Sequence, residues 1–289
     1  MIAADHASIC RQLSGQDPEG NPILSGLAKR TYRIEPDGRC VVSDEPVPLV
    51  EEPQDAPDRP DLLAHDTDFY PLKLATDVVL RGFAYAPPGN HPFQASLRIG
   101  SIEESIRVVG DRRCTLSSTG HILFSEPRPA DRVPLRYDRA YGGRDAAAEA
   151  REGNPLAAMK PFLGEEFDLD RASPYYYARN PSGTGYLLHA TREAVEGLEL
   201  PNLEDPGDPL SPERLVVGGI DRWAAMPLPK SFDWFDPGWF PRVAFLGFPP
   251  DFEPRDRPIA EVARGWLPPE IVNDPPLPRF SVRFCSGAS

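Results

Sequence analysis

The common signatures of metal binding and nucleophilic catalysis are missing from this 289-residue sequence. Its four cysteines, Cys10, Cys40, Cys114 and Cys285, include no CxxC pair, and no HExxH occurs, so the standard zinc templates fail. Thiols scattered this way over a long chain read as reduced cysteines, not as a disulfide framework. There is no GxSxG elbow to expose a nucleophilic serine. No lysine follows the glycines of "NPSGTGY" (180–186), which removes the Walker phosphate loop. No run approaches the roughly 18 apolar residues that a membrane helix needs. The opening "MIAADHASICRQLSGQDPEG" lacks the basic and apolar regions of a secretory signal, so a cytoplasmic location is expected. Positive charge is short as well: 31 Lys and Arg stand against 44 Asp and Glu, a formal net charge of −13. Such a chain repels phosphate backbones and anionic lipid, so neither nucleic acid nor a membrane is an expected partner.

What the sequence has in excess is proline, 36 residues of it. Each proline removes a backbone donor and fixes φ, which excludes long helices and keeps strands short. "RTYRI" and "RCVVS" flank "EPDG" and predict a β-hairpin. "TDVVLRGFAYAP" predicts a strand, and "FQASLRIGSIEESIRVVGDRRCTL" predicts two strands turning at Gly100-Ser101. The polar stretch "EEPQDAPDRPDLLAHDTDFYP" between them reads as a loop, in which His65, Asp66 and Asp68 are solvated side chains, not ligands. Short helices are expected over 145–153, capped by Asp145, and over 258–268. The expected architecture is mainly β: one antiparallel, sandwich-like domain over 27–289 with long proline-rich loops, preceded by a tail over 1–26.

Two kinds of site deserve weighing. Residues 232–252, "FDWFDPGWFPRVAFLGFPPDF", are densely aromatic. They either plug the core or offer a partner-binding patch, with Trp234, Trp239 and Phe240 as candidate anchors. Paired carboxylates such as Glu204–Asp205 beside such a tract leave a carbohydrate- or peptidoglycan-active hydrolase as the alternative reading. In "RYDRAYGGRD" (136–145) the arginines alternate with aspartates, so internal ion pairing is expected to consume the charge while the glycines let the chain turn. "GDRR" (110–113) is expected to be a similar Asp–Arg clamp at a strand end. No catalytic residue, metal or cofactor is expected.

Six stretches occur in a recognisable order: "YPLKLATDVVLRGFAYAPPG", "VVGDRRC", "FSEPRPADRVPLRYDRAYGG", "RNPSGTGY", "LPNLEDP" and the C-terminal "RFCSGAS". Together they resemble the bacterial family catalogued as domain of unknown function 2169. The residues that carry the likeness are Asp77, Gly82, Gly110, Asp111, Arg112, Arg139, Tyr141, Gly142, Gly143, Asn180, Pro181, Gly183, Gly185, Asn202 and Glu204. The resemblance implies an adaptor or chaperone of type VI secretion. Such proteins bind a toxic effector, often one linked to a PAAR tip domain, and help to load it onto the spike. It also implies further strands after "RFCSGAS", so the alternating run 280–285 is expected to leave an open edge that recruits another chain.

Overall fold

The computed structural model describes residues 8–16, 20–34, 39–69, 79–87, 92–99, 102–154, 173–219, 222 and 225–234. Strands β1 (Ser8–Gln16) and β2 (Pro22–Arg30) pair antiparallel over nine residues, with Gln12 opposite Gly26. The segment expected as a tail therefore carries β1 and the first half of β2. The signal was weak because β1 holds a single β-branched residue, Ile9, and no aromatic one. Strands β3 (Tyr32–Ile34) and β4 (Cys40–Val42) form the hairpin expected around "EPDG".

Strands β5 (Gln54–Ala56) and β6 (Arg59–His65) reverse through Pro57 and Asp58, inside the stretch expected to be a loop. Prolines do not exclude a hairpin here. Pro57 occupies the turn, and Pro60 lies where the β5–β6 register is already irregular, a place that tolerates a missing donor.

The strands that follow are β7 (Phe83–Tyr85), β8 (Phe93–Ile99), β9 (Ile102–Val108), β10 (Cys114–Leu116), β11 (Ile122–Phe124), β12 (Arg132–Pro134) and β13 (Tyr141–Gly142). Helix α1 (Ala146–Glu152), β14 (Thr184–Gly185), helix α2 (Arg192–Val195) and β15 (Leu203–Glu204) complete the described order. Of "TDVVLRGFAYAP" only Phe83–Tyr85 is strand among the described residues, paired antiparallel with β12. β10 pairs with β11, and a three-stranded sheet runs β15–β9–β8. β13 and β14 are parallel. The fold is mainly β and predominantly antiparallel, with two short helices among the described residues, as expected. Among the described residues its sheets are small, of two or three strands each.

Contacts divide the chain into two compact units: among the described residues one holds those from 8 to 69 with 97–99 and 102–104, and the other holds 79–87, 92–96 and those from 105 to 234. In the first, Ala56 and Leu62 are buried. Asp68 gathers the loops there, accepting from Lys29 Nζ at 2.6 Å and from the Val50 N–H at 2.8 Å.

The second unit holds the larger described core. Tyr177 packs edge-on against Tyr141 and stacks on Tyr186, with centroids 5.1 and 5.5 Å apart. Leu187, Val195, Leu200, Leu215 and Val217 close around them. The Tyr177 and Tyr186 hydroxyls donate to the carbonyls of Pro227 and Pro174 at 2.8 and 2.7 Å, so burial leaves neither donor unmet. Helix α1 starts where expected, with Asp145 Oδ1 accepting from the Ala148 N–H at 2.9 Å. Gly153 ends it at φ 72°.

Cys10, Cys40 and Cys114 are free thiols. Burial pushes the Cys114 thiol up to about 12, against the pull of Arg112. No helix among the described residues is long and apolar enough to cross a membrane. The expected helix at 258–268, the edge strand at 280–285, and Cys285 lie outside the described residues.

Asp233 supplies a test of the second unit's interior. Its side chain is 4% exposed. Burial raises its carboxyl from 3.8 to about 6, opposed by the Trp234 N–H and by Arg81. The folded protein thus holds this proton more tightly than the unfolded chain does. The stabilisation is complete below about pH 4 and is lost as pH rises through 6. Asp233→Asn keeps an oxygen for the Trp234 N–H and removes the titration. Its stability relative to wild type should rise by up to about 3 kcal/mol between pH 4 and pH 7, at about 1.4 kcal/mol per pH unit. Urea denaturation at the two pH values measures this, and an unchanged difference would rule out the buried charge.

Candidate functional site

Most of the described residues that carry the family likeness fall into two clasps in the second unit. The first is built on Asn180, which is fully buried. Its Nδ2 donates to the carbonyls of Tyr137 and Tyr141 at 2.8 and 3.0 Å. Its carbonyl accepts from the N–H groups of Gly143 and Gly183 at 2.8 and 3.1 Å. Residues 180–183 thereby form a turn in which Pro181 takes the second position, where its fixed φ fits. The glycines let two backbones meet. A Cβ on Gly142 would lie 2.1 Å from the Asn180 carbonyl oxygen, and one on Gly143 would lie 2.5 Å from that of Gly183. The parallel pair β13–β14 is the product of this approach, and Gly185 ends it at φ 97°.

The second clasp is built on Asn202 and Glu204. Asn202 uses every polar group it has. Its N–H donates to the Arg139 carbonyl at 2.8 Å, and its carbonyl accepts from the Val109 N–H at 2.8 Å. Its Nδ2 donates to the Val109 carbonyl at 3.1 Å and to Asp111 Oδ1 at 3.0 Å, and its Oδ1 accepts from Arg139 at 3.4 Å. Glu204 is buried, with one carboxylate oxygen on Arg107 and the other on Arg112. Arg112 also donates to the Pro201 carbonyl at 3.0 Å. Gly110 admits the neighbouring chain, since a Cβ there would lie 2.0 Å from the Arg128 carbonyl oxygen.

Arg136 and Arg144 of "RYDRAYGGRD" are paired internally, through partners that differ in part from those expected, while Arg139 donates to the neutral Asn202 Oδ1 and not to a carboxylate. Arg136 clamps Asp138, as expected. Arg144 instead pairs with Glu149. Asp145 caps α1 with one oxygen and accepts from the N–H groups of Leu188 and His189 with the other, at 3.0 and 3.3 Å. In "GDRR" the arginines bypass Asp111: Arg112 turns to Glu204 and Arg113 to Glu199.

The two clasps meet at a cavity of about 440 Å³. Asp111, Arg112, Arg139 and Asn202 line it from the second clasp, and Thr184 from the first. Arg113 of "GDRR" and Ser125, Glu126, Arg128, Glu199 and Leu200 complete the wall. Bridges between Asp111 and Arg128 and between Arg113 and Glu199 bring the strand ends together. Sequence offers only the nearness of "GDRR" and "FSEPRP" as a hint of this.

The remaining candidates lie elsewhere. Gly82 gives its carbonyl to the Leu135 N–H at 3.0 Å, and a Cβ there would meet no described atom within 4 Å. Trp234 is partly buried, its N–H donating to Asp233 Oδ1 at 2.8 Å. Asp77, Trp239 and Phe240 lie outside the described residues. The His65 ring lies 2.5 Å from the Asp66 carbonyl, and Asp68 pairs with Lys29. Among the described residues no cluster of three or more metal-ligating side chains forms.

No curated protein and no solved structure matches the chain. A family model described as "Uncharacterized protein conserved in bacteria (DUF2169)" matches residues 19–270. That span covers most of the sequence and every residue of both clasps, and the chain belongs to this bacterial family.

Proposed function

We propose that this protein is a non-catalytic adaptor or chaperone that binds a type VI secretion effector in the producing cell and helps to load it onto the spike. The observation that supports a binding role is the use made of the family's marker residues. Asn180, Asn202, Glu204 and Arg112 direct their side chains to partners within the chain, and the glycines admit backbone to backbone. Those bonds build a rigid support. The net charge of −13 suits a carrier of basic cargo, whose approach it steers.

The test is affinity purification of the protein from its native host with secretion active, followed by identification of what accompanies it. The expected companion is an effector encoded beside this gene, PAAR-linked or paired with a spike protein. The complex should weaken as salt rises, because steering is screened over roughly 8 Å at physiological ionic strength. Salt-independent binding would shift the contact to apolar anchors, with Trp234, Trp239 and Phe240 first in line. Absence of any secretion effector would overturn the adaptor reading.

A further inference from the structure

The cavity between the clasps has more donors than acceptors. Arg112 is 7% exposed, yet its Nε–H has no acceptor among the described residues, and the buried Nε–H of Arg139 has none there either. Arg112 answers Glu204, and Arg113 answers Glu199. Arg128 and Arg139 form no ion pair among the described residues, although the chain carries thirteen more acidic than basic side chains. Two guanidinium groups left without carboxylates in so acidic a protein are what a carboxylate ligand requires, since the planar fork fits two oxygens at once.

The rest of the wall decides which anion fits. Asp111, Glu126 and Glu199 also line the cavity, and they oppose a compact dianion such as phosphate. They accept hydrogen bonds, as do the hydroxyls of Ser125 and Thr184, so the wall matches a ligand that brings N–H donors beside its carboxylate. Leu200 adds an apolar contact. A volume of about 440 Å³ exceeds the need of a single ion and lies in the range of sites for small organic ligands. We propose that this cavity is a binding site for a peptide carboxylate, an acidic side chain or a chain terminus presented with its flanking backbone, held by Arg128 and Arg139. The assignment goes beyond the adaptor reading and stands without it, because the titration below needs no effector.

The experiment uses the full chain and a fluorescently labelled glycine-serine pentapeptide in three forms: with a free C-terminal carboxylate, as its amide, and as the amide carrying one internal aspartate. Anisotropy titration should show saturable binding of at least one carboxylate form and none of the plain amide. Arg128→Gln and Arg139→Gln should each weaken that binding about tenfold. Arg128 is exposed, so its variant should keep the parent's thermal midpoint, and Arg139→Lys, which retains the charge, should recover part of the loss. Binding of the plain amide as tight as that of the acidic peptides overturns the proposal. So does affinity unchanged in both glutamine variants, or displacement of the peptide by inorganic phosphate at equal concentration. Absence of saturation by either carboxylate form also overturns it.

Discussion

Glu204→Ala is expected to lower the stability of the second unit by about 3–5 kcal/mol, enough to abolish folding in a marginal domain. Glu204 is 4% exposed and sits between Arg107 and Arg112, so its removal strands positive charge in the interior. Arg112, itself 7% exposed, cannot swing to water and would retain only the Pro201 carbonyl among its resolved hydrogen-bond acceptors. The partners differ in what they lose. Arg107 is 30% exposed, so Arg107→Gln leaves Glu204 its inner partner and should cost nearer 1 kcal/mol. Thermal and urea unfolding of the two variants measures the contrast. Equal and small losses would mean that water reaches the cluster and that the clasp is not a buried ion triad.

Gly142→Ala and Gly143→Ala should each cost about 3 kcal/mol or more. Two effects add here. Gly143 has φ 103°, a region that costs an L-residue about 1–2 kcal/mol. The new Cβ also meets a carbonyl oxygen of the facing chain, Asn180 at 2.1 Å for Gly142 and Gly183 at 2.5 Å for Gly143. Backbone cannot rotate away as a side chain would, so β13 and β14 must separate and Asn180 must give up hydrogen bonds. Gly197→Ala is the control: φ is 81°, but no described atom lies within 4 Å of the added carbon. It should lose only the conformational term, about 1 kcal/mol. If all three variants unfold at the same denaturant concentration, the close approach of the two turns carries no energy.

The sequence disclosed local chemistry better than it disclosed partnership. The hairpin around "EPDG" and the Asp145 cap were legible because each depends on residues a few positions apart. The β5–β6 hairpin was hidden because proline at a two-residue turn looks the same, in one dimension, as proline in an irregular loop. Glu204 read as one half of an acidic pair with Asp205. In the fold its oxygens belong to two arginines 97 and 92 residues earlier. Adjacent opposite charges in "GDRR" suggested a local clamp, yet Arg112 turns inward to Glu204 while Asp111 receives Asn202, both of them partners some 90 residues away. The cavity was not legible at all, because its wall is assembled from five separated stretches that only tertiary structure aligns.

The span of the second clasp has a consequence for how the protein is made. A ribosome extends the chain by roughly 5–20 residues each second. Arg107 therefore emerges some 5–20 seconds before Glu204, its partner 97 positions on, can reach it. Hairpin β10–β11, whose strands are only a few residues apart, can form in that interval. The Glu204 ion triad cannot, and the loop it must close is long enough to carry an entropic cost of its own. During synthesis the nascent second unit therefore exists as hairpins without their central tie, and it becomes one cooperative body only when "LPNLEDP" leaves the ribosome.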